Sequence, residues 1–154
     1  MRRLAVLICS FGYIGFFPIA PGSVGAAAGV MLHALARSLG ILHFELPLIV
    51  VLFLAGVAFT RACEEELQCT DPGPIVIDEV MGMLITLAAI PVGWGGMMLG
   101  FFLFRAFDVA KPSPARQLER LHGGFGVMSD DVMAGIYANL TLRGAYHLAP
   151  GWLS

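Results

Sequence analysis

Between Phe104 and Asp131 the chain sets Arg105, Asp108, Lys111, Asp130 and Asp131 directly against long uncharged segments. A charge-free run of 25 residues, Val80 to Phe104, precedes most of them, and Asp78 and Glu79 stand at its start. Charged side chains at the mouths of apolar helices are costly to place and usually carry function. Asp78, Glu79, Asp108, Asp130 and Asp131 together offer hard oxygen ligands without histidine or cysteine, a donor set that favours Mg2+ over Zn2+. Arg105 and Lys111 add a planar fork and a compact point charge, both suited to phosphate. The group points to metal-assisted phosphate chemistry at a membrane surface.

Each of these charges also has a structural reading. Arg105 and Asp108 are three apart and share a helix face, so they can simply neutralise each other near lipid. Lys111 follows three further on, and Pro112 and Pro114 then end the helix. Asp78 and Glu79 at a helix start suit the positive end of the macrodipole. That explains one of them; two adjacent carboxylates repel unless a cation is near. Asp130 and Asp131 precede the last apolar segment, where one can serve as N-cap. Gly135 leaves room on the Asp131 face for another helix or a ligand. The loop Gly123–Gly126 can present backbone N–H groups to an anion, and His122 can donate a proton or hold the loop. His33, His43 and His147 read as interface or helix-end residues.

The elements that must position these groups are apolar. Hydrophobic residues make up 58% and charged residues 13% of the 154, against roughly 45–50% and about 25% in soluble domains. One small water-soluble globule could not hide that much apolar surface. The composition reads as an integral membrane protein forming a single domain over residues 1–154. The formal charge of −2 advertises no basic surface for nucleic acid. Cys9, Cys63 and Cys69 lack metal-site spacing and read as buried or interfacial thiols. The basic, then apolar, N-terminus imitates a leader, but motif residues begin at Pro18, so the segment reads as retained.

Five apolar segments are candidates to cross a bilayer: Ser23–Leu42, Leu46–Thr60, Val80–Ile90, Met97–Phe107 and Val132–Leu148. Pro91 and the Gly93–Gly96 cluster break the long central run in two. Both halves fall short of the about 20 residues a full crossing needs. The fold class is therefore all-α, a polytopic membrane helix bundle of about five hydrophobic helices, some only partly inserted. Ser23, Gly25, Ala26, Ala27, Ala28 and Gly29 allow close helix packing. Glu64–Glu66 falls in the loop after the second segment and reads as a solvated helix surface. Basic residues orient the bundle: Arg2, Arg3, Arg61, Arg105, Lys111, Arg116 and Arg120 fall on the cytoplasmic side, and only Arg37 and Arg143 opposite. The same orientation gathers the acidic groups and the Pro18–Ser23 loop on that face.

Four blocks, in order, resemble the phosphatidylglycerophosphatase A family. They are Pro18-Ile-Ala-Pro-Gly-Ser-Val-Gly25, Ile75-Val-Ile-Asp-Glu-Val-Met-Gly82, Phe104-Arg-Ala-Phe-Asp-Val-Ala-Lys-Pro-Ser-Pro114 and His122-Gly-Gly-Phe-Gly-Val-Met-Ser-Asp-Asp-Val-Met-Ala-Gly135. Any one block is weak, whereas the ordered set is specific. Ser23 stands where the family pattern has Thr, which keeps the hydroxyl. The resemblance implies an all-helical, Mg2+-dependent phosphatase of the bacterial inner membrane. Such an enzyme converts phosphatidylglycerophosphate into phosphatidylglycerol and phosphate during phospholipid biosynthesis. On this reading Asp78, Glu79, Arg105, Asp108, Lys111 and Asp131 carry catalysis, and Asp130 joins the four carboxylates among them as a metal ligand. Attack by metal-activated water is favoured; an aspartyl-phosphate on Asp108 stays open.

Two rivals differ in class. A lipid synthase using CDP-activated alcohols also needs membrane-edge aspartates and magnesium, but its D-G-x-x-A-R run is missing. A small transporter would also place charges in the membrane, yet these acidic residues gather at segment ends on one side. Acyl-chain preference and oligomeric state leave no trace in the sequence.

Overall fold

A computed structural model describes residues 2–69, 72–118 and 123–153. Among the described residues eight α-helices follow in order: α1 (Arg2–Cys9), α2 (Pro21–Ser38), α3 (Glu45–Leu67), α4 (Ile77–Leu87), α5 (Trp94–Ala110), α6 (Ala115–Leu118), α7 (Gly124–Leu148) and α8 (Pro150–Leu153). No strand occurs among the described residues, so the all-α expectation is met. Arg120 and His122 lie outside the described residues.

The short helix α4 occupies the centre, packed against α2, α3, α5 and α7. Nine of its eleven residues are buried, including Met81, Met83, Leu84 and Leu87. Small residues permit this crowding, as the sequence led us to expect. Gly25 and Gly29 of α2 bring its backbone against Val76 and Met83. Gly135 of α7 backs onto the Gly82 carbonyl, and an added Cβ there would lie 2.6 Å from that oxygen.

Among the described residues one helical stretch, Leu42–Leu67, is long and apolar enough to cross a membrane. Most of that stretch faces outward, with Leu46, Val50, Val51 and Leu54 exposed. At eleven residues, α4 is only about 16 Å long, too short to span a hydrocarbon core of about 30 Å. The central run breaks between Leu87 and Trp94, where Pro91 and Gly93 foretold it. Carbonyls freed by such a break are costly unless bonded. Asn139 of α7 meets that need: the two hydrogens of its Nδ2 are shared among the carbonyls of Ile85, Thr86 and Ala88, at 2.9–3.0 Å. Arg143 joins, donating Nε–H to Asn139 Oδ1 at 2.8 Å and Nη2–H to the Ala88 carbonyl at 3.1 Å.

Several local expectations change. The last helix starts at Gly124, not after Asp131, because Gly123 takes φ +76 and turns the chain into a helix that runs without a break to Leu148. Gly124 then lies against the Gly56 and Val57 backbone, which explains the glycine run by packing. Glu64–Glu66 is the solvated helix surface expected of it, but on the last turns of α3 and not in a following loop. Of the two readings of His33, interface or helix end, the structure has the first: it is buried in α2, with Nδ1 2.7 Å from Oε1 of Glu45 in α3. Cys9 and Cys63 are buried, as expected of inert thiols, while Cys69 is exposed.

Candidate active site

Asp78 and Glu79 occupy the first turn of α4, where N–H groups have no partner within the helix and the dipole favours negative charge. Asp78 Oδ1 accepts from the Glu79 backbone N–H at 3.0 Å. Asp131 comes from the second turn of α7, brought alongside by the contact between Gly135 and Gly82. Ligand oxygens of Asp78, Glu79 and Asp131 all lie within 4.8 Å of one another. Asp78 and Asp131 are buried and Glu79 nearly so.

Asp130 and Asp131 are successive residues of one helix, so their side chains diverge by about 100°. Asp131 faces Asp78. Asp130 turns to Lys111, whose Nζ lies 2.8 Å from its Oδ2. Neither aspartate caps α7, since both sit inside it. Lys111 reaches Asp130 because α5 ends there in a left-handed residue, φ +42, ahead of Pro112.

Arg105 is the central cation. Its Nη1 lies 2.6 Å from Asp108 Oδ2 and 3.9 Å from Glu79 Oε1. The ion pair considered from the i, i+3 spacing thus forms, and it also joins α5 to the carboxylate trio. Gly22, at the start of α2, completes the wall. A Cβ there would collide with Glu79 Oε1 and approach the Arg105 guanidinium to 3.1 Å. Sequence reasoning brought the Pro18–Ser23 loop to this face but gave Gly22 no part. The signal was its place, next to a proline, at the head of an apolar helix.

These groups precede the apolar runs assigned to lipid, and burial dominates their acidity. It raises Asp78 well above the usual carboxylate range, with the Glu79 charge adding to the effect. Burial likewise raises Asp131, helped by Asp78, Asp108 and Asp130. Glu79 is pushed up to about 7 by burial, the Asp131 charge also raising it and a hydrogen bond from Asp78 and the Arg105 charge opposing. Glu79 Oε2 is buried without a hydrogen-bond partner. Three crowded carboxylates, one with an orphaned oxygen, are what a hard divalent cation would relieve, so the residues fit Mg2+. Asp108 and Asp130, also expected as ligands, stand beside the trio and are each held by a cation.

The fold and site define a helical protein with a carboxylate trio that could hold a divalent cation and an arginine beside it. The profile of the family described as phosphatidylglycerophosphatase A matches residues 7–146, and the chain belongs to that family. It is 40% identical over 140 residues to "Phosphatidylglycerophosphatase A" of Haemophilus influenzae, covering 90% of this chain and 85% of the relative. It is 37% identical over 135 residues to the protein of the same name in Escherichia coli, covering 85% and 76%. A Bacteroides thetaiotaomicron protein, provisionally named as a phosphatidylinositol-3-phosphatase, is 36% identical over 144 residues, covering 88% and 89%. No solved structure matches the chain. Family membership supports a phosphatase-type hydrolase of lipid metabolism.

Proposed function

We propose that the chain is a Mg2+-dependent lipid phosphatase that converts phosphatidylglycerophosphate to phosphatidylglycerol and phosphate. The observation that carries this reading is the convergence of Asp78, Glu79 and Asp131 within 4.8 Å, with the Arg105 guanidinium alongside. Residues 1–154 act as one domain in the bacterial inner membrane, with about five hydrophobic segments, some only partly inserted. The active site opens on the cytoplasmic face. The outward apolar surface of Leu42–Leu67 and the seven-to-two bias of basic residues support that placement.

Asp78, Glu79 and Asp131 would hold Mg2+, with Asp108 and Asp130 shaping the charge around them. When bound, the ion supplies a Lewis acid for the phosphoryl oxygens and lowers the pKa of an attacking water. Arg105 offers its fork to the equatorial phosphoryl oxygens, and its ion pair with Asp108 biases the direction of that fork. Lys111 adds positive charge on the opposite side, oriented by Asp130. Gly22 keeps the mouth wide enough for a phosphomonoester. Acyl chains remain in lipid while the headgroup reaches the carboxylates.

The decisive assay is phosphate release by purified protein in detergent micelles. Phosphatidylglycerophosphate with Mg2+ should turn over, and EDTA should abolish the reaction. Phosphatidylinositol 3-phosphate belongs in a parallel arm, given the name of one relative. No release from phosphatidylglycerophosphate at any Mg2+ concentration, or activity dependent on a cytidine nucleotide, would reject the proposal. Ion flux across vesicles without phosphate release would support the transporter reading instead.

A further inference from the structure

We propose that the cavity at the end of α5, lined by Lys111, Ser113, Arg116 and Gln117, binds the phosphodiester of the lipid headgroup, the phosphate that is not cleaved. This inference rests on the phosphatase reading and deepens it. The cavity has a volume of about 390 Å3 and opens next to the end of α5. Its shape follows from the sequence Lys111-Pro112-Ser113-Pro114. The prolines hold the chain out of a helix, and Lys111 turns it in a left-handed conformation. Tyr137 of α7 donates its hydroxyl to the Ser113 carbonyl at 2.9 Å, tying this loop to the helix that carries Asp131. Gln117 Nε2 donates to Ser113 Oγ at 3.3 Å across the same loop.

Among the described residues the lining carries two cations, Lys111 and Arg116, and no carboxylate. Lys111 is shared, since its ammonium bonds Asp130, next in sequence to Asp131 of the trio. Arg116 is exposed and makes no ion pair among the described residues. A pocket of this size and polarity suits an anionic headgroup and not an acyl chain. Phosphatidylglycerophosphate carries two phosphates separated by glycerol: a terminal monoester and a diester leading to the diacylglycerol. A site that grips the monoester alone cannot distinguish this lipid from phosphatidate, which has no diester. With the monoester at Arg105 and the trio, a diester at Arg116 leaves Lys111 between the two anions. Arg116 is then a specificity-determining residue.

The test separates binding from turnover. Full-length protein in detergent with EDTA is titrated by native mass spectrometry with phosphatidylglycerophosphate, phosphatidylglycerol and phosphatidate. Arg116→Ala should weaken the two diester lipids about tenfold, the size of one charge-assisted hydrogen bond, and phosphatidate by less than about twofold. With Mg2+, the ratio of kcat/KM for phosphatidylglycerophosphate over phosphatidate should fall by a similar factor, through KM. Equal weakening of all three lipids would make Arg116 a general membrane-surface contact and overturn the proposal, as would no change. If the parent protein binds diester lipids through Arg116 but releases no phosphate, the subsite stands and the phosphatase reading falls.

Discussion

Gly135 of α7 rests against the carbonyl oxygen of Gly82 in α4, a contact that a single methyl group would block. The two helices carry the site between them, Asp78 and Glu79 on one and Asp131 on the other. Gly135→Leu should therefore separate them. Overpacking at such a contact costs about 1–3 kcal/mol, visible as a lower unfolding temperature in detergent. The Mg2+ concentration for half-maximal activity should rise as well. A variant that keeps the parent's stability and Mg2+ response would show that the helices need not be this close.

The carboxylates should not be interchangeable with their amides. Asp78→Asn, Asp108→Asn and Asp131→Asn each change one oxygen to an amide in the trio or in the pair that directs Arg105. Each should lower phosphate release by at least about 100-fold, the upper end for a lost group that organises a metal. Near-parental rates in all three would remove the site.

Acidity gives a prediction with a defined sign. Burial raises Asp78 and Asp131 and puts Glu79 at about 7, whereas unfolded carboxylates titrate near about 4. In metal-free protein the raised values favour folding fully below about pH 4, and this contribution is lost as pH rises through about 7. Mg2+ must displace the same protons, so its hold strengthens over that window. The unfolding temperature with EDTA should fall from about pH 5 to about pH 8, and the increase on adding Mg2+ should grow. An Mg2+ increment that is flat or falling with pH would contradict ligation by these groups.

Much of the site was legible because charge is scarce in this chain. Carboxylates beside long apolar runs stand out, and their one-sided grouping follows from helix order and basic bias. The division of labour between Asp130 and Asp131 was not legible. It depends on where α7 begins, and Gly123 sets that start by a backbone angle that glycine runs only hint at. The close approach of His33 Nδ1 to Glu45 Oε1 escaped for a related reason: the partners stand twelve positions apart across a turn, and nothing local joins them. Segment boundaries followed hydrophobicity and breakers well around Pro91. They failed at Glu64–Glu66, where α3 keeps its hydrogen bonding after its apolar character ends.

Asn139 is the polar residue whose purpose the sequence hid most completely, since a lone amide in an apolar segment has no pattern to betray it. Its Nδ2 holds three carbonyls at the end of α4, and its Oδ1 orients Arg143 onto one of them. Asn139→Ala removes the donor and frees Arg143, leaving the Thr86 carbonyl without its partner and the Ala88 carbonyl dependent on an unanchored guanidinium. Each unsatisfied group costs about 1–3 kcal/mol, so the loss should exceed that of an ordinary surface change. Asn139→Asp is the sharper variant: it keeps the size and the acceptor for Arg143 but cannot donate to the carbonyls when ionised. If the donor role dominates, Asp should unfold at nearly the temperature of Ala, well below the parent. If Asp matches the parent, the amide serves only to position Arg143, and the helix end is held by the guanidinium.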